Sequence, residues 1–288
     1  VRTRIILITV LACLIVISVV ALSGGTDRRP SGGSVGEVAA AFYPVAFAAE
    51  QVGGPDLDVE NLTPPGVEPH DLEATPGDVS TLESADLDLL MGHGFQPQLE
   101  QAAAEGSARV VELLDLRGLD LRPGDPHVWL DPLRYGLVAR RIAAALGDPA
   151  AARPLVARLD RLNRSYRRGL SGCRRHEIVT SHEAFGYLAD RYGLHRVPIT
   201  GLSPEAEPSP ARLADVIDRV RRSDATTVFG ETLLSPKTAD TVARETGAKT
   251  AVLNPIEGIT PAEDARGDDY FTLMRQNLAA LRAGLGCR

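Results

Sequence analysis

Three features of the chain predict an α/β fold of two lobes, each a mainly parallel sheet flanked by helices, joined by a long connecting helix. From Val35 onward short β-like runs alternate with helical stretches, the pattern of a parallel sheet covered by helices. In the middle, Leu155, Leu159, Leu162, Tyr166 and Leu170 recur at steps of three and four. That spacing paints one apolar stripe along a helix of about six turns. Beyond it the β/α alternation starts afresh. A length of 288 residues, 44% of them hydrophobic, suits about two domains with a sizeable core.

The N-terminus reads as a secretory signal or an uncleaved anchor over residues 1–23. Arg2 and Arg4 precede an apolar run from Ile5 to Leu22, and Ala21-Leu-Ser23 offers a small-residue cleavage site. Cys13 resembles the cysteine of a lipoprotein box, although the apolar run continues for nine residues after it. A polar, Gly/Pro-rich linker follows over 24–34, and the folded part is therefore expected on the outer side of the cytoplasmic membrane. There, Cys173 and Cys287, the two cysteines left once Cys13 is set aside, are expected to form a disulfide.

The first lobe spans 35–150. Its strands are read at Val35–Ala41, Leu57–Leu62, Leu87–Met91 and Arg109–Leu114. Its helices are read at Pro44–Val52, Pro76–Ser84, Pro97–Gly106 and Pro132–Leu146. The linking helix occupies 151–172. The second lobe, 173–288, holds strands at Glu177–Thr180, Val197–Gly201, Thr226–Gly230 and Lys249–Leu253. Its helices are Glu183–Tyr192, Pro210–Arg222, Pro236–Thr246 and Asp268–Leu285.

The formal charge of −7 argues against a nucleic-acid partner, which calls for clustered Lys and Arg. The basic run from Arg164 to Arg175 falls on a helix and its exit and reads as a solvated face. In open α/β sheets ligands bind outside the carboxyl ends of the strands. Here those ends are followed by His70, by Asp125-Pro-His127, by Ser181-His182, by Glu231, and by Asn254-Pro-Ile-Glu257. Three imidazoles and a carboxylate form the ligand set of a four-coordinate transition metal, zinc above all. His93, between Gly92 and Gly94, also follows a strand and is placed to line the cleft mouth or to sit solvated at the surface.

Two other classes compete. A secreted zinc hydrolase needs an open coordination position and a general base, and His182-Glu183 begins like a zincin motif whose fifth position is Gly186. The Gly-x-Ser-x-Gly string at Gly32-Gly-Ser-Val-Gly36 leads into the first expected strand instead of following one, so it is no nucleophile elbow, and no phosphate loop is present. A two-lobe receptor for an organic ligand would place Arg, Ser or Thr clusters at the strand ends, where this chain has histidines.

The phrases Val67-Glu-Pro-His70, Asp125-Pro-His-Val-Trp-Leu-Asp-Pro132, Thr180-Ser-His-Glu-Ala-Phe-Gly-Tyr187, Tyr192-Gly-Leu194 and Phe229-Gly-Glu231 resemble the zinc/manganese substrate-binding proteins of bacterial ABC transporters. So does the ending from Asp269-Tyr270 to Asn277-Leu278. The resemblance runs through the whole chain after the leader. It implies a metal buried between the lobes, delivery to a membrane permease, and a monomer working close to the membrane. By position His70, His127 and His182 match the family's first three ligands, and a histidine at the third position leans towards Zn2+ over Mn2+. The family's commonest fourth ligand is an aspartate where this chain has Asn254. Glu257, in a Pro-x-Glu phrase, is the first choice for that role, with Glu231, Asn254 or water as alternatives. The His-rich loop of many zinc importers is missing, since residues 116–124 hold no histidine. Ser181 and Glu183 are candidates to fix the His182 tautomer, and Trp129 and Tyr43 to wall the site from water.

Overall fold

The computed structural model describes residues 35–288; the expectations for the leader, the linker and Cys13 lie outside the described residues. Two four-stranded, wholly parallel sheets appear in succession. The first holds β1 (Glu37–Ala40), β2 (Asp58–Asn61), β3 (Leu87–Leu90) and β4 (Arg109–Glu112) in the order β2-β1-β3-β4. The second holds β5 (Glu177–Thr180), β6 (His195–Pro198), β7 (Thr227–Gly230) and β8 (Lys249–Val252) in the order β6-β5-β7-β8. Both sheets are wound alike. Each has its topological switch between its two central strands, where a crevice opens beyond the carboxyl ends.

Proline sets the start of most helices. It stands in the first turn of α1 (Tyr43–Gly53), α2 (Pro76–Ser84), α3 (Pro97–Glu105), α4 (Pro132–Ala145) and α5 (Arg153–Leu170). Its missing N–H costs nothing there, and its fixed φ is already helical. The second lobe adds α6 (Gly186–Tyr192), α7 (Pro210–Arg222), α8 (Lys237–Thr246), α9 (Pro261–Ala265) and α10 (Tyr270–Leu285). The stretch expected as one helix from Glu183 splits into a 3-10 turn, Glu183–Phe185, followed by α6. Helix α9 lies outside the expected elements, and Thr260 and Glu263 form a capping box at its start. Strand β6 begins two residues before its expected start. Its polar His195-Arg196 belongs to a sheet edge, where Pro198 is also tolerated.

Helix α5 has 18 residues, five turns instead of six, because the chain leaves it at Ser171 to reach Cys173. The stripe Leu155, Leu159, Leu162, Tyr166 and Leu170 is buried. It packs on α4 of the first lobe and on α6 and α10 of the second, and the Tyr166 hydroxyl donates to the Met274 carbonyl at 2.7 Å. A disulfide joins Cys173 to Cys287, 114 residues apart. One apolar core runs from Phe42 and Trp129 through Tyr166 to Phe185, Ile256 and Tyr270, crossing between the lobes. The Tyr270 hydroxyl donates to the Trp129 carbonyl at 2.6 Å, and Asp131 accepts from Arg191 of α6 at 2.6 Å. Wide opening of the lobes would tear this seam.

One buried group is out of place. Asp88, on the central strand β3, is inaccessible to solvent and neither carboxylate oxygen has a partner. Burial pushes its carboxyl up to about 7, so below that pH it folds as the neutral acid. Its proton is held more tightly folded than unfolded. The stability it allows is fully present below the unfolded value of about 3.9 and is lost as pH rises through 7. Asp88→Asn should therefore raise the melting temperature at pH 8 and change it little at pH 4, read from thermal melts of the two proteins.

Candidate metal centre

Four side chains from four loops meet beyond the carboxyl ends of the two sheets. His70 sits in a 3-10 turn, Pro69–Asp71, at the end of a loop stiffened by Pro64, Pro65 and Pro69. Glu68 Oε1 accepts the His70 backbone N–H at 3.2 Å. The loop leans on the other lobe, where the Gly66 N–H donates to the Ile259 carbonyl at 2.8 Å.

His127 is fixed by its own Asp-Pro corner. Asp125 Oδ1 accepts both the His127 backbone N–H at 3.0 Å and Nδ1–H at 2.8 Å. Gly186 of α6 closes over this corner. A β-carbon there would lie 2.4 Å from Asp125 Oδ2 and 2.7 Å from Arg122 Nε, so only glycine lets the second lobe approach so near.

His182 leaves β5 in extended conformation and is held by Glu231 at the end of the neighbouring β7. Glu231 Oε1 accepts the His182 backbone N–H at 3.1 Å, and its Oε2 accepts Nδ1–H at 2.7 Å. Glu257 is aimed inward by a strained turn, in which Ile256 has a φ of 57°. A β-branched residue in that region costs on the order of 1–3 kcal/mol. Asn254 holds the turn: its Oδ1 accepts the Ile256 N–H at 2.7 Å and its Nδ2 donates to Glu263 at 3.2 Å. Asn277 grips its backbone, accepting from N–H at 2.8 Å and donating to the carbonyl at 2.6 Å.

These locks decide where the protons are. With Nδ1–H of His127 and His182 committed to carboxylates, the Nε2 atom of each is left with a bare lone pair in the neutral ring. Those Nε2 atoms are 3.4 Å apart. His70 Nε2 lies 3.3 Å from His127 Nε2 and 3.3 Å from Glu257 Oε1. Glu257 Oε1 completes the group at 2.8 Å from His127 Nε2 and 3.2 Å from His182 Nε2. All four donor atoms lie within 4.8 Å of one another. Metal–ligand bonds of about 2.0–2.1 Å in a tetrahedron require edges of about 3.3 Å. The donor set has the size and the lone pairs of a tetrahedral zinc shell.

Without a cation the cluster gathers protons. Burial works against a charged ring at His182, yet Glu257 and Glu231 raise its pKa well above the ordinary histidine value. His127 is raised too, against burial, by its bonds to Asp125 and Glu257. Burial would lift the Glu257 carboxyl, but His182 and the bonds from all three imidazoles hold it well below the usual carboxylate range. His127, His182 and Glu257 are wholly buried, while the His70 side chain keeps 12% of its surface. His70 opens onto an interlobe cavity of about 160 Å³. Behind the rings stands an aromatic wall. Trp129 lies 5.1 Å from His127, Phe95 4.7 Å from His70, and Phe42 4.9 Å from Trp129.

Several expectations need correction. Ser181 hydrogen-bonds to the Phe229 carbonyl and Glu183 pairs with Arg196 at 2.7 Å. Neither touches the His182 ring, because the neighbours of a residue in extended chain point to the opposite face. Glu231 does that work and so stands behind the ligand instead of serving as one. Asn254 likewise builds the turn and does not face the centre. Tyr43 packs on Phe47, and Phe42 takes the walling role beside Trp129. Asp125, not among the expected site residues, anchors His127, and its position two residues upstream in Asp-Pro-His carries that signal. Losing a carboxylate that orients a metal ligand costs about 10–100-fold in affinity. Glu231→Ala should show that loss in a competition titration against a chromophoric chelator.

Residues 38–284 match the family described as zinc-uptake complex component A, periplasmic. The chain is similar to the high-affinity zinc uptake system protein ZnuA of Bacillus subtilis, 34% identical over 313 aligned positions that cover 97% of each chain. It is 32% identical to the zinc-binding protein AdcA of Streptococcus pyogenes over 85% of its length, spanning 55% of that longer protein. Among solved structures it resembles the Zn(II)-bound ZnuA-like domain of Streptococcus pneumoniae AdcA. There the TM-score is 0.75 at 33% identity, with 88% of this chain and 99% of that one covered. With two like-wound lobes, an interlobe donor cluster and a match across nearly its whole described length, the chain belongs to the family of periplasmic A components of zinc-uptake complexes.

Proposed function

We propose that this chain captures one Zn2+ ion in the cleft through His70, His127, His182 and Glu257 and delivers it to the membrane permease of an ABC importer. The carrying observation is the convergence of three imidazole Nε2 atoms and one carboxylate oxygen, with five edges of 2.8–3.4 Å and all four atoms within 4.8 Å of one another. A nitrogen-rich shell with a single carboxylate suits zinc better than manganese, which favours oxygen. It acts on the outer side of the cytoplasmic membrane; among the described residues no helix is long and apolar enough to cross one. Lobes at 35–150 and 173–288, linked by 151–172, contribute two donors each, so the ion ties them together in a monomer.

Capture without chemistry fits this donor set. Four protein donors fill a tetrahedron, whereas catalytic zinc keeps one position for water. Native mass spectrometry of the segment from about Ser34, with elemental analysis, should find one zinc per chain; none after zinc loading and dialysis would refute the proposal. Binding to the folded state alone also stabilises it. At a free zinc concentration of about 1,000 times Kd the gain is about 4 kcal/mol, which at this chain length moves the melting temperature by roughly 8–16 °C. A chelator in excess should reverse the shift in a thermal scan.

A further inference from the structure

We infer that His93 and Asp115 form an outer docking station for the incoming divalent cation, at the rim of the cavity that leads to His70. The inference rests on the capture reading above. It starts from accessibility: three of the four donors are sealed and only His70 keeps an exposed edge, so an ion must arrive through the cavity that His70 lines. That cavity is bordered by Gly92-His93-Gly94 and Phe95 of one lobe, and by Leu202 and Ser203 of the other.

His93 lies in the left-handed region, with φ 59°, between two glycines that share that region. The turn is drawn tightly onto the end of β4. A β-carbon at Gly92 would lie 2.7 Å from Glu112 Oε2. His93 Nε2 lies 2.9 Å from Asp115 Oδ1, and both side chains are exposed, 46% and 68%. An imidazole nitrogen and a carboxylate oxygen at that spacing come close to the tetrahedral edge of about 3.3 Å that two zinc bonds need. One cation can therefore take the place of the shared proton and keep the rest of its shell as water.

Arg122, the cation on the same cavity, is turned aside by Asp125 and Asp190. The rim therefore presents the imidazole of His93, with the Asp115 carboxylate hydrogen-bonded beside it, to an arriving ion. Two ligands hold such an ion weakly. Their worth is kinetic, since the ion sheds part of its hydration there before meeting the buried donors. A station on the route speeds entry and exit alike and leaves the final equilibrium unchanged.

Stopped-flow mixing of the protein with Zn2+, and of the loaded protein with a chelator, gives both rates. His93→Asn suits the test because asparagine accepts a positive φ and the change alters no carboxylate; Asp115→Asn probes the partner. The expected result is that association and dissociation slow together by about tenfold, with Kd and the zinc-free melting temperature unchanged. Rates equal to those of the parent chain would overturn the station, as would a weakened Kd with unchanged association. Failure of the parent chain itself to bind Zn2+ would instead sink the capture reading, and the station with it.

Discussion

His127→Ala is expected to weaken zinc binding by more than about a thousandfold. The figure follows from scale. Removing a group that merely orients a ligand costs about 10–100-fold, and His127 is itself a donor, the one imidazole of the cluster with three close neighbours. Its Nε2 makes edges with His70, His182 and Glu257, so no other side chain can slide into its place without breaking the rest. The aromatic wall behind it is closed by Trp129, whose indole N–H is bound to the Pro255 carbonyl at 2.8 Å, and water gains no easy entry. The variant should still fold. Its zinc-free melting temperature and circular dichroism check that, while a chelator competition titration reads the affinity. A loss of less than tenfold in a folded variant would mean that His127 is packing and that the donor set is held by other atoms.

Much of this arrangement was legible in the chain. Alternating runs place eight strands because each is short and followed by a helix, in most cases one that opens on proline. Asp125-Pro-His127 and Asp131-Pro announced a rigid corner, since proline excludes helix from the residue before it. What could not be read was the partner of each donor. Asp125 is local to His127 and might have been inferred from spacing, but Glu231 reaches His182 across 49 residues. That pairing depends on β5 and β7 being adjacent, and strand order is a property of the whole sheet. Asn254 looked like a departure from an aspartate ligand. Its amide both accepts from the Ile256 N–H and donates to Glu263, two roles a carboxylate could not share. The loss of a ligand there is tied to a turn that presents Glu257 instead.

Zinc affinity should fall steeply as pH drops from 8 to 5, beginning above the ordinary histidine value of about 6.5. In the metal-free protein the rings of His127 and His182 hold protons above that value, because Asp125, Glu257 and Glu231 outweigh the burial that opposes charge. Zinc must displace those protons from the same Nε2 lone pairs. Affinity is therefore full above the raised pKa values and is lost as pH falls through them. Each displaced proton contributes a factor of about ten per pH unit below its pKa, so these two rings alone contribute a slope near two. Glu257, held well below the carboxylate range, stays ionised across the window and adds nothing to the slope. The metal-free fold runs the other way. A ring whose pKa is raised by folding contributes stability that is fully present below its unfolded value and is lost as pH rises through the folded one. Acid thus favours the empty, protonated cleft just where it disfavours the loaded one, and the melting shift on adding zinc should be large at pH 8 and small at pH 5.5. Isothermal titrations in buffers of different ionisation enthalpy would count the protons released. An affinity that stays flat from pH 8 to 5, with no proton release, would rule out a shell built on three imidazoles.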